Sequence, residues 1–471
     1  MHLRYTIIEK NVEVGGTWYD NIYPGVGCDV RSHLYSISSA INPYWSQSYS
    51  EGPEILQYVK DLAKPIRSKI KFNTSVVSAT WNENTSKWNL VLSTGQKLDF
   101  DIVIAATGLL QKPQYPTFAG KELFQGATFH TNKWDPNEEF KGKRVGIIGT
   151  GASAVQTVPR IAEMGVESLT VFQRTATWCP PRANYKYSEF LKNIFKFVPL
   201  INVLYRWFLF WSYEISFFIL FMLPSKNNPI IGGIHSVIQS LVHEKFRRHI
   251  KSTVIDQRTA SKLIPKIPMG CKRITPSDNY LQAFNKDNVF LVTEAITGFN
   301  EKGIVTCDQT CHNLEVIIYA TGFDLIGSVN SFHLRGLGGA SVGDYHADAP
   351  TAYYGITHHL CPNFFTIGGQ GSALGHNSVL FIGECQINYI RLVLQEMLLK
   401  KTKTLVLKEE ALIEYQKMVE YKMRNKVFEG DKYCTSWYRN GKGVNWTFWP
   451  SNVISFWWRT LAFDSQNYFI S

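Results

Sequence analysis

Residues 143–165 read KRVGIIGTGASAVQTVPRIAEMG, and the fold follows from this stretch. Residues 144–148 form an apolar strand, Gly149-Thr150-Gly151-Ala152-Ser153-Ala154 a tight turn, and a helix runs on to about Met164. Gly149 permits the turn, Gly151 lets a pyrophosphate approach the backbone, and small Ala154 allows helix and strand to touch. Free N–H groups at the helix start favour phosphate charge. A second strand, SLTVFQRTATW, follows and reaches Arg174 where an acid would select NAD. A guanidinium there suits the 2′-phosphate of NADP.

Working outward, two segments repeat each other: FDIVIAATG (100–108) and LEVIIYATG (314–322). Each is an acid, an apolar run and Ala-Thr-Gly, as expected for returning strands of two related nucleotide domains. Residues 4–9 read as a short strand ending in Glu9, an acid placed to take a ribose hydroxyl. Beyond 322, PNFFTIGGQGSALGHNSVLFIGECQINYI (362–390) supplies a strand, a glycine-rich turn and a helix starting near Asn377-Ser378. One unit is therefore nested in the other, and two units imply two nucleotides, with a flavin plus NADPH the natural pair. The expected class is α/β with two Rossmann-like domains. The FAD domain takes 1–140 and returns at 323–471. The NADP domain takes 141–322 and carries a helical insert at about 185–250.

Bulk properties agree. A chain of 471 residues, 45% hydrophobic with 34 glycines, suits a multidomain α/β enzyme. The net charge of +11 fits phosphate-rich ligands or an acidic lipid surface. No Arg/Lys-rich block or recognition motif is present, so no nucleic-acid partner is expected. The eight cysteines are scattered without a CxxC pair, which excludes a zinc site and reads as reduced thiols in the cytoplasm. No signal peptide is read at Met1. Residues 203–223, VLYRWFLFWSYEISFFILFML, are long enough to span a membrane, but Arg206 and Glu214 would then sit in hydrocarbon. A pair of buried or partly exposed helices is the preferred reading, and peripheral membrane contact the next.

Two longer stretches carry a resemblance. GGTWYDNIYPGVGCD (15–29) and FQGATFHTNKWD (124–135) resemble the fingerprints of Baeyer–Villiger monooxygenases, a branch of the flavin-dependent monooxygenases. Phe124, Gly126, His130, Thr131, Trp134 and Asp135 fall at the family's spacing, and MGCKRI (269–274), CTSWY (434–438) and WPS (449–451) add to the likeness. The resemblance implies FAD and NADPH as cofactors. It implies insertion of one oxygen atom of O2 into a hydrophobic ketone, through a C4a-peroxyflavin. By the same resemblance Arg273 stabilises developing negative charge, Asp29 orients Arg273, and His130 couples NADP binding to domain movement. Glu9, Gly16, Thr17, Trp18, Tyr19, Asp20, Asp29, Tyr35, Val76 and Val379 should border the flavin. Gly149, Thr150, Gly151, Ala152, Ser153, Ala154, Val155, Gln156, Arg174 and Thr175 should border NADP. N- or S-oxygenation is the enzymatic alternative, and an inactive NADP-binding remnant the non-enzymatic one.

The chain departs from the family pattern at Gly27, at Arg31 and at Gly-Gly-Gln-Gly (368–371). The family's first strand, glycine turn and helix, roughly 30 residues by the size of such a unit, have no counterpart before residue 4. The expectation is a gap in the first parallel sheet. It is explained either by a start inside a longer protein, which is preferred, or by a shortened chain with weak flavin affinity.

Overall fold

A computed structural model describes residues 4–222, 229–345, 350–423, 439 and 445–471. The CTSWY stretch lies outside the described residues. The largest sheet is wholly parallel and has five strands, in the order Val289–Val292, Ser168–Phe172, Arg144–Ile148, Val316–Tyr319, Ala127–His130. Its central strands are buried along nearly all their length, and Val316–Tyr319 wholly so, because both faces are covered. Val145, Ile147, Val316 and Ile318 pack on the Ala152–Ile161 helix, while Ile148, Ile317 and Tyr319 pack against Phe299 and Ile304 of a small antiparallel sheet. Strand 127–130 is the edge of this sheet, so the second nucleotide unit takes in chain upstream of residue 141.

The first unit is built differently. Ile7–Ile8 pairs in parallel with Ile70–Lys71, and Val103–Ala105 pairs in parallel with Phe364–Thr366. These are two separate two-stranded pieces, with no described strand joining them. Ile104 is 46% exposed, although its counterpart in the second unit, Ile318, is fully buried. A four-stranded sheet of Val76–Asn82, Lys87–Leu92, Lys97–Phe100 and His333–Arg335 leans on this unit. The Val379–Lys400 helix closes it over Phe365, Ile382, Tyr389 and Val393.

The insert comprises helices Glu189–Phe197, Pro199–Phe217 and Pro229–Thr253. Both charges that disfavour a membrane reading turn inward. Arg206 donates to Ser38 Oγ at 2.7 Å and Ser36 O at 2.9 Å, and its guanidinium lies 3.6 Å from Glu384. Glu214 accepts from His376 Nε2 and Asn377 Nδ2, both at 2.8 Å.

Cys28, Cys179, Cys307, Cys311, Cys361 and Cys385 are free thiols. Cys271 corrects the uniform reduced reading, since it is disulfide-bonded.

Two buried histidines give the fold a pH dependence. His33 sits among Tyr187, Phe195 and Tyr205, and burial lowers its pKa to about 4, as burial does for His130. Unfolded histidine titrates near 6.5, so between about pH 6.5 and 4 the unfolded chain binds protons that the folded chain refuses. Stability is therefore retained above this window and lost as pH falls through it, by about 1.4 kcal/mol per pH unit for each group. In urea titrations, His33→Phe is expected to remove about one proton's worth of that slope. An unchanged slope contradicts the assignment.

Candidate active site

The nucleotide turn forms as its sequence requires. Gly149 has φ +115°, and a Cβ there would lie 2.5 Å from Ala320 O, so only glycine fits between the two strands. Thr150 Oγ1 donates to Thr175 O at 2.7 Å and fixes the crest of the turn. Gly151, the N-cap of the Ala152–Ile161 helix, faces open space, with no atom within 4 Å of a built Cβ. Ala154 and Val155 are buried against the sheet.

Arg174 lies at the end of the next strand, exposed, and close enough to Lys272 for its charge to help burial lower the lysine's pKa. No carboxylate pairs with either side chain among the described residues. The pair concentrates positive charge at the end of the nucleotide strand. Lys272 was missed in the sequence. The only signal was its place beside Arg273 in MGCKRI.

The two units meet at Asp29, whose side chain is 9% exposed. Arg273 Nη2 lies 3.2 Å from Asp29 Oδ2, and Arg182 Nη2 lies 3.1 Å from Oδ1. Arg182 also donates to Cys28 O at 2.9 Å. Gln156, on the Ala152–Ile161 helix, donates to Gly27 O at 2.9 Å and to Asp29 Oδ1 at 3.2 Å, and accepts from Tyr23 OH at 2.9 Å. The carboxylate is thus satisfied by two cations and an amide, and it cannot rotate without breaking charge-assisted bonds. Gly25 allows this approach: with φ +83°, its built Cβ would be 2.4 Å from Gln156 O. Burial pushes the neighbouring thiols of Cys28 and Cys179 up to about 12, so neither offers a thiolate. Arg31 lies over the rings of Tyr49 and Tyr185, at 5.4 and 5.7 Å.

On the other side of Asp29 lies a second set of groups. Glu9 accepts from Asn11 N at 2.9 Å, and Asn11 in turn holds Asp20. Gly16 opens the Thr17–Asp20 turn with nothing within 4 Å, and Trp18 Nε1 donates to Tyr35 OH at 3.2 Å. Val76 starts its strand half-buried. Val379 begins its 22-residue helix 47% exposed. A cleft of about 720 Å³, open to solvent, runs past Thr107, Gly108, Thr366 and Gly368 at the carboxyl ends of the strand pair 103–105 and 364–366.

His130 is fully buried at the junction. Its Nδ1 accepts from Asn132 N at 3.1 Å, so the neutral ring carries its proton on Nε2, beside the Gly322 backbone. The buried imidazole caps the Thr131–Lys133 turn through Asn132 N, within the 124–135 fingerprint.

Residues 27–196 match the model of the pyridine nucleotide-disulphide oxidoreductase family. A Baeyer–Villiger monooxygenase of Pseudomonas aeruginosa is 33% identical over 471 residues, covering 99% of this chain and 86% of that protein. The chain belongs to the Baeyer–Villiger monooxygenases. Among solved structures of this monooxygenase fold, OTEMO in complex with FAD and NADP superposes with a TM-score of 0.84 at 27% identity, over 98% of this chain and 94% of that one. Oxidised steroid monooxygenase bound to NADP gives 0.84 at 26%, over 99% and 94%. The monooxygenase thus has the two-nucleotide α/β fold read from residues 143–165.

The structure brings Asp29, Arg273 and Gln156 together, and it sets Gly149 to Ala154 at one helix start. His130 stands apart from that cluster. Arg182 and Lys272 join as residues that sequence reading had not singled out.

Gly151 gives a test that separates binding from folding. Gly151→Ala has ordinary φ and a free Cβ position, so thermal stability should not change. The methyl would occupy the space a pyrophosphate needs, and KM for NADPH is expected to rise about tenfold or more. Gly149→Ala should instead lower the melting temperature. Equal behaviour of the two variants in melting and kinetics contradicts this division.

Proposed function

We propose that the chain is an FAD- and NADPH-dependent monooxygenase that inserts one atom of O2 into a hydrophobic ketone. One observation carries the reading: Asp29 is clamped between Arg273 and Arg182 at the meeting point of the two nucleotide units, with Gln156 of the NADP helix on the same carboxylate. The residues present fit NADPH, and for FAD they supply the ribose acid and ring borders, while no described glycine turn of the first unit takes its pyrophosphate. Gly151, Arg174 and Lys272 would hold the pyrophosphate and 2′-phosphate of NADPH, with Thr150, Ala152, Ser153, Val155 and Thr175 shaping the turn. Glu9, Gly16 to Asp20, Tyr35, Val76 and Val379 would hold FAD, whose domain we assign to 1–140 and 323–471 apart from the 127–130 edge strand of the NADP unit's sheet, with NADP held by 141–322.

Bound flavin, reduced by NADPH, supplies the activated oxygen. Arg273 holds a fixed positive charge where negative charge develops, and Asp29 sets the direction of its guanidinium. Because Asp29 also binds Gln156, motion of the NADP helix is transmitted to Arg273. His130 holds the turn of the 124–135 segment through Asn132 N and stays neutral at working pH.

The test is product analysis with a ketone and a thioether offered together, in the presence of FAD and NADPH. Ester or lactone as the main product supports the reading. Sulfoxide alone moves the enzyme to heteroatom oxygenation, and bound NADPH without oxidation makes the chain a binding remnant.

A further inference from the structure

The insert carries an apolar face that the proposed oxidation does not use. Along Pro199–Phe217 the exposed side chains are Leu200, Leu204, Trp207, Phe208, Trp211 and Ile215. They recur every three or four residues and so form one stripe of the helix. Phe208 is 66% exposed and Leu200 65%. The helix is apolar on both sides: Leu209, Phe210 and Phe217 pack into the protein body beside the inward-turned Arg206 and Glu214, and a second apolar side meets solvent. On Pro229–Thr253, Ile230, Ile234, Val237 and Leu241 make a second exposed stripe, whose register continues into Lys245 and Arg248. His235 Nε2 and Gln239 Nε2, at 2.9 and 2.8 Å from Leu220 O, tie the two helices together.

Charge decides the occupant. Residues 186–253 contain nine lysines and arginines but three glutamates, and Glu214 among these is buried. Exposed Lys196 stands at one end of the first stripe and Lys245 at the end of the second. An apolar, tryptophan-bearing centre with basic ends complements an anionic bilayer surface, where such helices lie in the interface. A spanning arrangement is excluded by the ion pair and hydrogen bonds along the inner side of 199–217. A second copy of the chain would bring like charges together.

We propose that this face docks the enzyme in-plane on an anionic phospholipid surface. The proposal does not depend on which substrate is oxidised.

The test is flotation of the purified full chain with vesicles of phosphatidylcholine alone, or mixed with phosphatidylserine, at low and high salt. The expected result is about tenfold stronger binding to the mixed vesicles, weakened by salt. Phe208→Ser/Trp211→Ser should abolish binding with an unchanged melting temperature, because Phe208 is 66% and Trp211 47% exposed. Lys196→Gln/Lys245→Gln should lower binding to mixed vesicles only, so a folding defect in the first variant leaves the test intact. No flotation of the natural chain overturns the proposal. So does binding indifferent to both variants, or a dimer in solution that Phe208→Ser/Trp211→Ser dissociates.

Discussion

Arg273→Ala is expected to lower ketone oxygenation by about a thousandfold, while the protein remains folded and binds NADPH. Removing one preorganised charge partner from a reacting centre typically costs about 10²–10³ in rate. The same side chain contributes little to stability, because it is 42% exposed and Asp29 keeps a second partner in Arg182. Arg273→Lys retains the charge but not the planar fork, and should recover part of the lost rate. Asp29→Ala is the companion. It leaves Arg182 and Arg273 facing one another without their shared carboxylate, so both turnover and stability should fall. Steady-state kinetics alongside thermal melts separate the two. A variant at Arg273 that loses stability but keeps its rate would make the arginine a structural ion-pair partner only.

Glu214→Leu is expected to lose about 3–5 kcal/mol of folding stability, far more than surface charge changes cost. The carboxylate is 4% exposed and accepts from His376 Nε2 and Asn377 Nδ2 at 2.8 Å and from Val453 N at 3.1 Å. It therefore joins the 199–217 helix, the turn before Val379 and the start of the Val453–Thr460 helix. Leucine leaves three buried donors without an acceptor. The His376 ring, stacked on Phe217 at 3.6 Å, also loses its anchor. Glu214→Gln keeps an acceptor oxygen and should cost markedly less. Urea unfolding measures both, and a Glu214→Leu chain within about 0.5 kcal/mol of the natural one contradicts the assigned role.

The legible parts of the chain were those whose signal is local. The turn at 149–154 encodes its own geometry, and strands 316–319 and 144–148 read as continuous apolar runs because both faces are buried. The neighbouring strand 127–130 gave no such signal. At the sheet edge it is short, four residues within the 124–135 fingerprint.

The Asp29–Arg273 pair came from resemblance, since 244 residues of sequence separate partners that only the tertiary fold brings together. Arg182 and the bridging role of Gln156 were invisible for the same reason, their partner Asp29 lying 153 and 127 residues away. The 203–223 segment was read as buried or partly exposed helices, and the Pro199–Phe217 helix is partly exposed; what the sequence left open was the direction of its charges. The two charges argued against a span, but composition gives no direction, and the structure turns both into the body.

The central claim is that Arg273, Asp29 and the two nucleotide units together insert an oxygen atom from O2 into a ketone. The most direct measurement is turnover of the purified protein with FAD, NADPH and a hydrophobic ketone under ¹⁸O₂, with mass spectrometry of the product. The account predicts one labelled oxygen in the ester or lactone, one NADPH consumed for each, and loss of both product and label in Arg273→Ala. NADPH bound or oxidised with no labelled product from any ketone, in a protein that retains flavin, would contradict it.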